Sequence, residues 1–110
     1  MDDRDLLELA AEAAGIYWIQ LGPDGCLIRE GERSRHWNPL SDDGDALRLA
    51  VALRLDVFFF EGFREVHSSH CMIGESETWE RYGDDPLAAT RRSIVRAAAE
   101  MAKASEVDSE

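Results

Sequence analysis

The chain has 110 residues, 23 of them acidic and 12 basic, which gives a formal net charge of −11. At this length a single hydrophobic core suffices, so we expect one domain that folds without disulfides. Such an acidic protein repels duplex nucleic acid and anionic lipid unless its basic residues cluster, which argues against direct nucleic-acid binding and membrane binding. Basic protein surfaces are the expected partners.

The N-terminal residues are acidic where a signal peptide would be basic, and no apolar run approaches the roughly 20 residues of a membrane span. Two cysteines, Cys26 and Cys71, lie among apolar neighbours without the spacing of a CxxC motif. This favours buried thiols in a reducing compartment over a disulfide. We therefore predict an intracellular protein.

The first third of the chain predicts a helix and a hairpin. Apolar residues recur at helical spacing over residues 3–14, and Gly15 is suited to end that helix. Residues 16–20 and 26–29 are rich in β-branched and aromatic side chains and flank a turn-forming sequence, which predicts two paired strands. Residues 30–37 are mixed in charge and lack periodicity. We expect a loop there, either a plain surface loop or one in which Trp37 folds back onto the core as an anchor.

The centre of the chain predicts a capped helix followed by a buried strand. Asp42 and Asp43 offer capping oxygens and negative charge at the start of a helix over residues 43–54, which is apolar on most sides. The four apolar residues that follow in 57–60 cannot alternate between core and solvent. Both faces of this strand should therefore be covered, with Phe58, Phe59 and Phe60 largely buried.

The last part of the chain predicts one or two further strands within residues 64–73, then an acidic connection over 75–83. Pro86 suits the first position of a helix over residues 86–104, in which Arg91 lies inside the apolar stripe and should reach a carboxylate at the rim. Residues 105–110 have nothing to pack and are expected to form a disordered acidic tail.

The predicted fold class is α+β. The expected architecture is a three-layer αβα sandwich, in which a mainly antiparallel sheet of four or five strands lies between three helices (residues 3–14, 43–54 and 86–104). A single domain would span residues 1–104.

Three motifs resemble the phage αβα-sandwich domain family, a group of small uncharacterised proteins of bacteriophages and prophages. They are residues 3–10 (DRDLLELA), residues 37–40 (WNPL) leading into 42–51 (DDGDALRLAV), and residues 84–100. The middle motif is distinctive, whereas the other two are helices of a kind that many proteins have. The resemblance implies a sheet with helices on both faces and a phage protein in the cytoplasm of a bacterial host. It implies no catalytic residues.

Only one segment contains ligand-type residues close together, namely His67, His70 and Cys71. In a strand, His67 and Cys71 would share one face while His70 would point to the other, so the three should not converge on a metal or form a nucleophile pair. The aspartates before the two later helices lack calcium-loop spacing and are explained by capping. We expect neither catalysis, nor a metal, nor a cofactor.

The predicted function is binding. The chain would be a small acidic phage protein that occludes a basic surface of a host or defence complex of the CRISPR type, as an anti-CRISPR inhibitor would. The alternative is a structural or accessory phage protein acting through protein–protein contacts, for which exposed tryptophans would also serve a homodimer. The predicted partner-binding residues are acids that capping does not use, with the tryptophans beside them. They are Glu30, Glu32, Trp37, Glu75, Glu77, Trp79 and Glu80.

Overall fold

A computed structural model describes residues 2–22, 25–70 and 79–108. Within these ranges the fold is α+β, with three helices and two three-stranded antiparallel sheets. The elements in chain order are α1 (Asp3–Ala14), β1 (Trp18–Gly22), β2 (Gly25–Glu30), β3 (Arg33–Trp37), α2 (Asp43–Leu53), β4 (Asp56–Phe60), β5 (Glu65–Ser69), β6 (Trp79–Arg81) and α3 (Pro86–Asp108).

All three helices begin where an aspartate side chain accepts a hydrogen bond from a backbone N–H of the first turn. The capping residues are Asp2, Asp42 and Asp85, and the three hydrogen bonds measure 2.9, 2.8 and 3.1 Å. Gly15 ends α1 in the left-handed conformation, with φ of 69°. The starts of α2 and α3 and the end of α1 confirm the capping predictions, whereas the cap by Asp2 was not predicted. At its other end, α3 continues to Asp108, beyond the predicted end near Ala104.

The first sheet has the strand order β1-β2-β3 and contains the predicted β1-β2 hairpin. The prediction of a loop over residues 30–37 is wrong. Most of this segment is the strand β3, which pairs with β2 from Glu30↔Arg33 to Cys26↔Trp37. Gly31 takes a left-handed φ of 67° and closes the tight turn between the two strands. Backbone pairing with β2 therefore makes a strand of residues whose side chains are mostly polar.

The second sheet has the order β4-β5-β6. The sequence predicted a single sheet of four or five strands, but the described residues form two separate sheets. The strand β6 lies within the segment predicted as a connection, since Trp79 pairs with His67 and Glu80 with Val66. It has only three residues, too few for a strand pattern to be recognised in the sequence.

The main core lies between the first sheet and the helices, and all three helices contribute to it. Its largest fully buried side chain is Trp37. Arg91 behaves as predicted: its Nη1 contacts Asp43 Oδ1 at 2.6 Å, and its Nε donates to the backbone oxygen of Leu40. A second, smaller cluster consists of Val66, Tyr82 and Ala89. None of the described helices is long and apolar enough to cross a membrane.

The helix α2 is less covered than the sequence predicts. Leu47 and Val51, one turn apart, are exposed, because α2 packs mainly on α3 and leaves this side open. Asp45 is one of the few polar residues of this helix, yet only 3% of its surface is exposed. One apolar side of α2 therefore faces solvent while a carboxylate is buried.

The prediction that Phe58, Phe59 and Phe60 are largely buried is wrong. They are 47, 58 and 36% exposed, respectively. Phe58 and Phe60 lie on the face that no described helix covers. Phe59 lies on the side of α3, but α3 packs mainly on β5 and β6 and leaves the edge strand β4 open. The described residues thus leave one face of the second sheet bare.

Candidate functional site

Aromatic side chains gather on the face of the second sheet that points away from α3. Strand pairing places Phe58, His67 and Trp79 in one row across β4, β5 and β6. Phe60 lies two residues from Phe58 and so projects to the same side. We call these four residues the aromatic face. The opposite side of β5 carries Val66 and Ser68, both fully buried, and Ser68 Oγ lies 2.8 Å from Ser93 Oγ of α3.

The rings of the aromatic face contact one another. His67 and Trp79 are stacked, with centroids 4.5 Å apart and planes 12° apart. Phe60 lies 5.0 Å from Trp79, and Phe58 lies 6.3 Å from His67. These contacts hold the rings in place without burying them, since Phe58 and Trp79 keep 47 and 44% of their surface exposed. Rings already ordered in this way lose little conformational entropy when a partner covers them.

Charged residues border the aromatic face. Strand pairing places Glu65 between Phe60 and Arg81 in the next row, and Asp56 at the start of β4 projects to the same side as Phe58. An apolar centre with a polar border is the usual anatomy of a protein–protein interface. The face therefore has the composition of a contact surface.

Among the predicted partner-binding residues, the structure separates the two tryptophans. Trp79 belongs to the aromatic face, whereas Trp37 is only 2% exposed and lies in the main core. The prediction of Trp37 as an interface anchor is wrong, because pairing with Cys26 turns its ring toward the helices.

The predicted glutamates do not form one surface. Glu30 pairs with Arg35 on the first sheet, and Glu32 is exposed in the following turn. Glu80 points to the α3 side of the second sheet and pairs with Arg96. Glu75 and Glu77 lie outside the described residues.

Phe58 and Phe60 were not predicted from the sequence as surface residues. A weak signal was present in β5, where the apolar residue Val66 lies between the polar residues Glu65 and His67. Such alternation indicates that one side of the sheet is solvated, and a neighbouring strand must share that side. The run of apolar residues in β4 outweighed this weaker pattern.

Asp45 is the most highly bonded carboxylate of the described residues, and its role is structural. Its Oδ1 accepts from Arg35 at 2.9 Å and Arg48 at 2.8 Å, and its Oδ2 accepts from the backbone N–H of Asn38 at 3.0 Å. Burial alone would raise the pKa of Asp45, but hydrogen bonds from Asn38, Arg48 and Arg35 outweigh burial and lower it. The carboxylate thus connects β3 to α2.

In the described part of the chain, no group of three or more His, Cys, Asp or Glu side chains is placed to hold a metal ion. Burial, aided by the charge of Glu8, raises the pKa of the Cys26 thiol to about 11, so it is protonated at neutral pH. His67 lies in the aromatic face and Cys71 lies outside the described residues.

Comparison with protein-family models, curated proteins and solved structures found no match for this chain. The resemblance to the phage αβα-sandwich domain family therefore stays a prediction from the sequence.

Proposed function

We propose that this protein acts by binding, and that the aromatic face is the centre of its contact with a basic partner protein. The observation that carries this proposal is the exposure of Phe58, Phe60 and Trp79 together on one sheet face. Contiguous exposed apolar surface with a polar border marks interaction sites, and aromatic anchors supply much of the affinity at such sites.

The chemistry of the face and the charge of the chain favour a partner rich in arginine and lysine. Guanidinium groups of the partner can stack on the aromatic rings. Asp56 and Glu65 can pair with arginine and lysine side chains of the partner at the border of the face. A net charge of −11 accelerates the encounter with a positively charged surface. The charge sets the rate of approach, while the rings hold the complex together.

On the resemblance to phage proteins, the basic surface would belong to a bacterial host or defence complex of the CRISPR type. A surface that normally binds nucleic acid is basic, and an acidic protein seated on it would block that binding. The partner would then cover the open face of the second sheet. In such a complex, the partner would form the third layer of the three-layer arrangement expected from the sequence.

A capture experiment with matched variants tests this function. The wild-type protein, Phe58→Ser/Trp79→Ser and the control Leu47→Ser are immobilised, exposed to nuclease-treated bacterial lysate and analysed by mass spectrometry. Leu47 is a suitable control because it is exposed on α2, an element outside the second sheet. We expect the wild type and the control to retain the same basic proteins, and the double variant to lose them.

Raising the salt concentration should weaken this capture, since screening reduces the attraction between the two proteins. Retention of the same proteins by Phe58→Ser/Trp79→Ser would contradict the proposal. So would a set of captured proteins that is not basic.

A second candidate function, a structural or accessory protein that self-associates, is favoured by β4. This strand is at the edge of its sheet, and no described strand pairs with its outer side. Phe59 projects toward the α3 side yet is 58% exposed. Exposed edge strands tend to pair with strands of other molecules. Antiparallel pairing of β4 with β4 of a second copy would extend the sheet and bring the two Phe59 rings together.

Sedimentation equilibrium distinguishes this candidate. A concentration-dependent dimer of the wild type that Phe59→Lys abolishes would support it, because lysine on an edge strand opposes pairing. A wild type that stays monomeric at all concentrations would rule it out.

A further inference from the structure

The end of α1 and the start of β1 form a groove of about 440 Å³ that belongs to neither the aromatic face nor its sheet. Gly15 turns the chain in the left-handed conformation, so the residues after it return beside the last turns of the helix. We call this the α1–β1 groove. Its lining consists of Glu8, Glu12, Gly15, Ile16, Tyr17 and Trp18.

The groove carries negative charge that no described residue neutralises. Glu8 and Glu12 are one helical turn apart on the side of α1 opposite its buried residues, and neither carboxylate pairs with a described side chain. The last turn of α1 contains no basic residue, and the C-terminal end of a helix carries a partial negative charge. Two carboxylates and a helix terminus thus favour a cation in the same place.

Aromatic side chains complete the lining. Tyr17 and Trp18 both line the groove, and they are 82% and 41% exposed, so both residues are accessible to a ligand there. Aromatic faces attract cations, and tryptophan does so most strongly. A hydrated metal ion gains little from such rings, and Ca²⁺ takes six or more oxygen ligands, which two glutamates do not supply. The lining therefore matches an organic cation.

We infer that the α1–β1 groove binds an arginine side chain presented by a basic polypeptide. The guanidinium group is planar, stacks on aromatic rings and donates in a fork to carboxylates, so it uses both kinds of lining residue. The compact ammonium of lysine uses the carboxylates but stacks less well. The lining residues belong to α1, β1 and the segment between them, and none belongs to the aromatic face. The two proposed sites can therefore be tested independently.

Nuclear magnetic resonance titration with the peptide acetyl-Gly-Arg-Gly-amide tests the inference. The same peptide with citrulline is the matched control, because citrulline has the shape of arginine without its charge. At low salt we expect the arginine peptide to shift the indole N–H signal of Trp18 and the amide signal of Gly15 saturably. The citrulline peptide should produce no saturable shift, and the lysine peptide should bind more weakly than the arginine peptide.

Two variants and one control locate the site. Glu8→Gln/Glu12→Gln should weaken arginine binding by about tenfold or more, through the loss of two charge-assisted contacts. Glu32→Gln/Asp84→Asn removes the same charge from two exposed positions elsewhere and should leave binding unchanged. Tyr17→Ser changes a ring that is almost fully exposed, and it should weaken binding without affecting folding.

Equal binding of the citrulline peptide would overturn the inference. So would equal weakening by the control double variant, which would show that only the overall charge matters. Saturable shifts at Trp79 in place of Trp18 would also overturn it, while leaving the proposed function of the aromatic face intact.

Discussion

The two sheets share a plan but differ in what their open faces carry. Each turns one side toward helices, and the open side of the β2-β3 pair carries polar residues such as Ser34 and His36. The open side of the second sheet carries Phe58, Phe60 and Trp79. A polar open face is what a stable monomer needs, because exposed aromatic rings gain little from folding. The difference indicates that the β2-β3 pair serves stability and that the second sheet offers its aromatic residues to a partner.

The largest expected effect is on the first sheet. Trp37→Ala removes the largest fully buried side chain of the main core and leaves a cavity among the three helices and β2. We expect a loss of about 3–5 kcal/mol in the free energy of unfolding, measured by urea denaturation. A loss below about 1 kcal/mol would show that the first sheet is not the stabilising one.

The contact between β3 and α2 is expected to be nearly as important. Asp45→Ala removes the acceptor of the buried N–H of Asn38 and the acceptor shared by Arg35 and Arg48. We expect a loss of about 2–4 kcal/mol in the free energy of unfolding at pH 7. A loss no larger than that of an exposed carboxylate such as Asp84 would contradict the assigned role.

The pH dependence of this effect follows from the lowered pKa of Asp45. The ionised carboxylate stabilises the folded state above its unfolded value of about 3.8, and this stabilisation disappears as the pH falls through the lower native pKa. The difference in unfolding free energy between the wild type and Asp45→Asn should therefore shrink below pH 3.8. A difference that stays constant from pH 7 down to pH 2 would show that the native pKa of Asp45 is not lowered, and would contradict this account.

A smaller effect is expected at the start of α2. Asp42 caps the helix and Asp43 pairs with Arg91, so replacing both aspartates by alanine should cost about 1–2 kcal/mol, measured by urea denaturation. Calcium or magnesium should not change the melting temperature of the wild type. A metal-dependent rise in the wild type that the double variant lacks would show that these carboxylates hold an ion.

The sequence predicted those features that depend on neighbouring residues. Asp42, Pro86 and Gly15 set helix ends through local capping chemistry, and these positions were predicted correctly. The strand β3 was missed because pairing with β2 holds its polar residues in place. That information comes from the partner strand and is absent from the segment itself.

The site was predicted only in part, for a similar reason. Trp37 and Trp79 each lie near acidic residues in the sequence, and only the position of the helices makes one buried and the other exposed. A run of apolar residues such as Phe58–Phe60 has the same sequence pattern whether helices cover both faces of the strand or only one. Its exposure depends on where α3 lies, which is fixed by contacts far along the chain.

The reactivity of the Cys26 thiol tests whether the main core beneath the first sheet is closed to solvent. This test needs no variant that alters the core. Cys26 is 1% exposed and the pKa of its thiol is raised to about 11, so a disulfide reagent at pH 8 should react only when the protein unfolds. The measurement uses the Cys71→Ser background, which leaves Cys26 as the one thiol of the chain. Rapid reaction of the folded protein would show that this core is open.

The aromatic face itself is tested most directly by the free energy of unfolding of Trp79→Ala, measured by urea denaturation beside Trp37→Ala. Because Trp79 is 44% exposed and contacts other exposed rings, we expect a loss of no more than about 1 kcal/mol, far below that of Trp37→Ala. A loss equal to that of Trp37→Ala would show that Trp79 supports the fold, and the assignment of this face to partner binding would be contradicted.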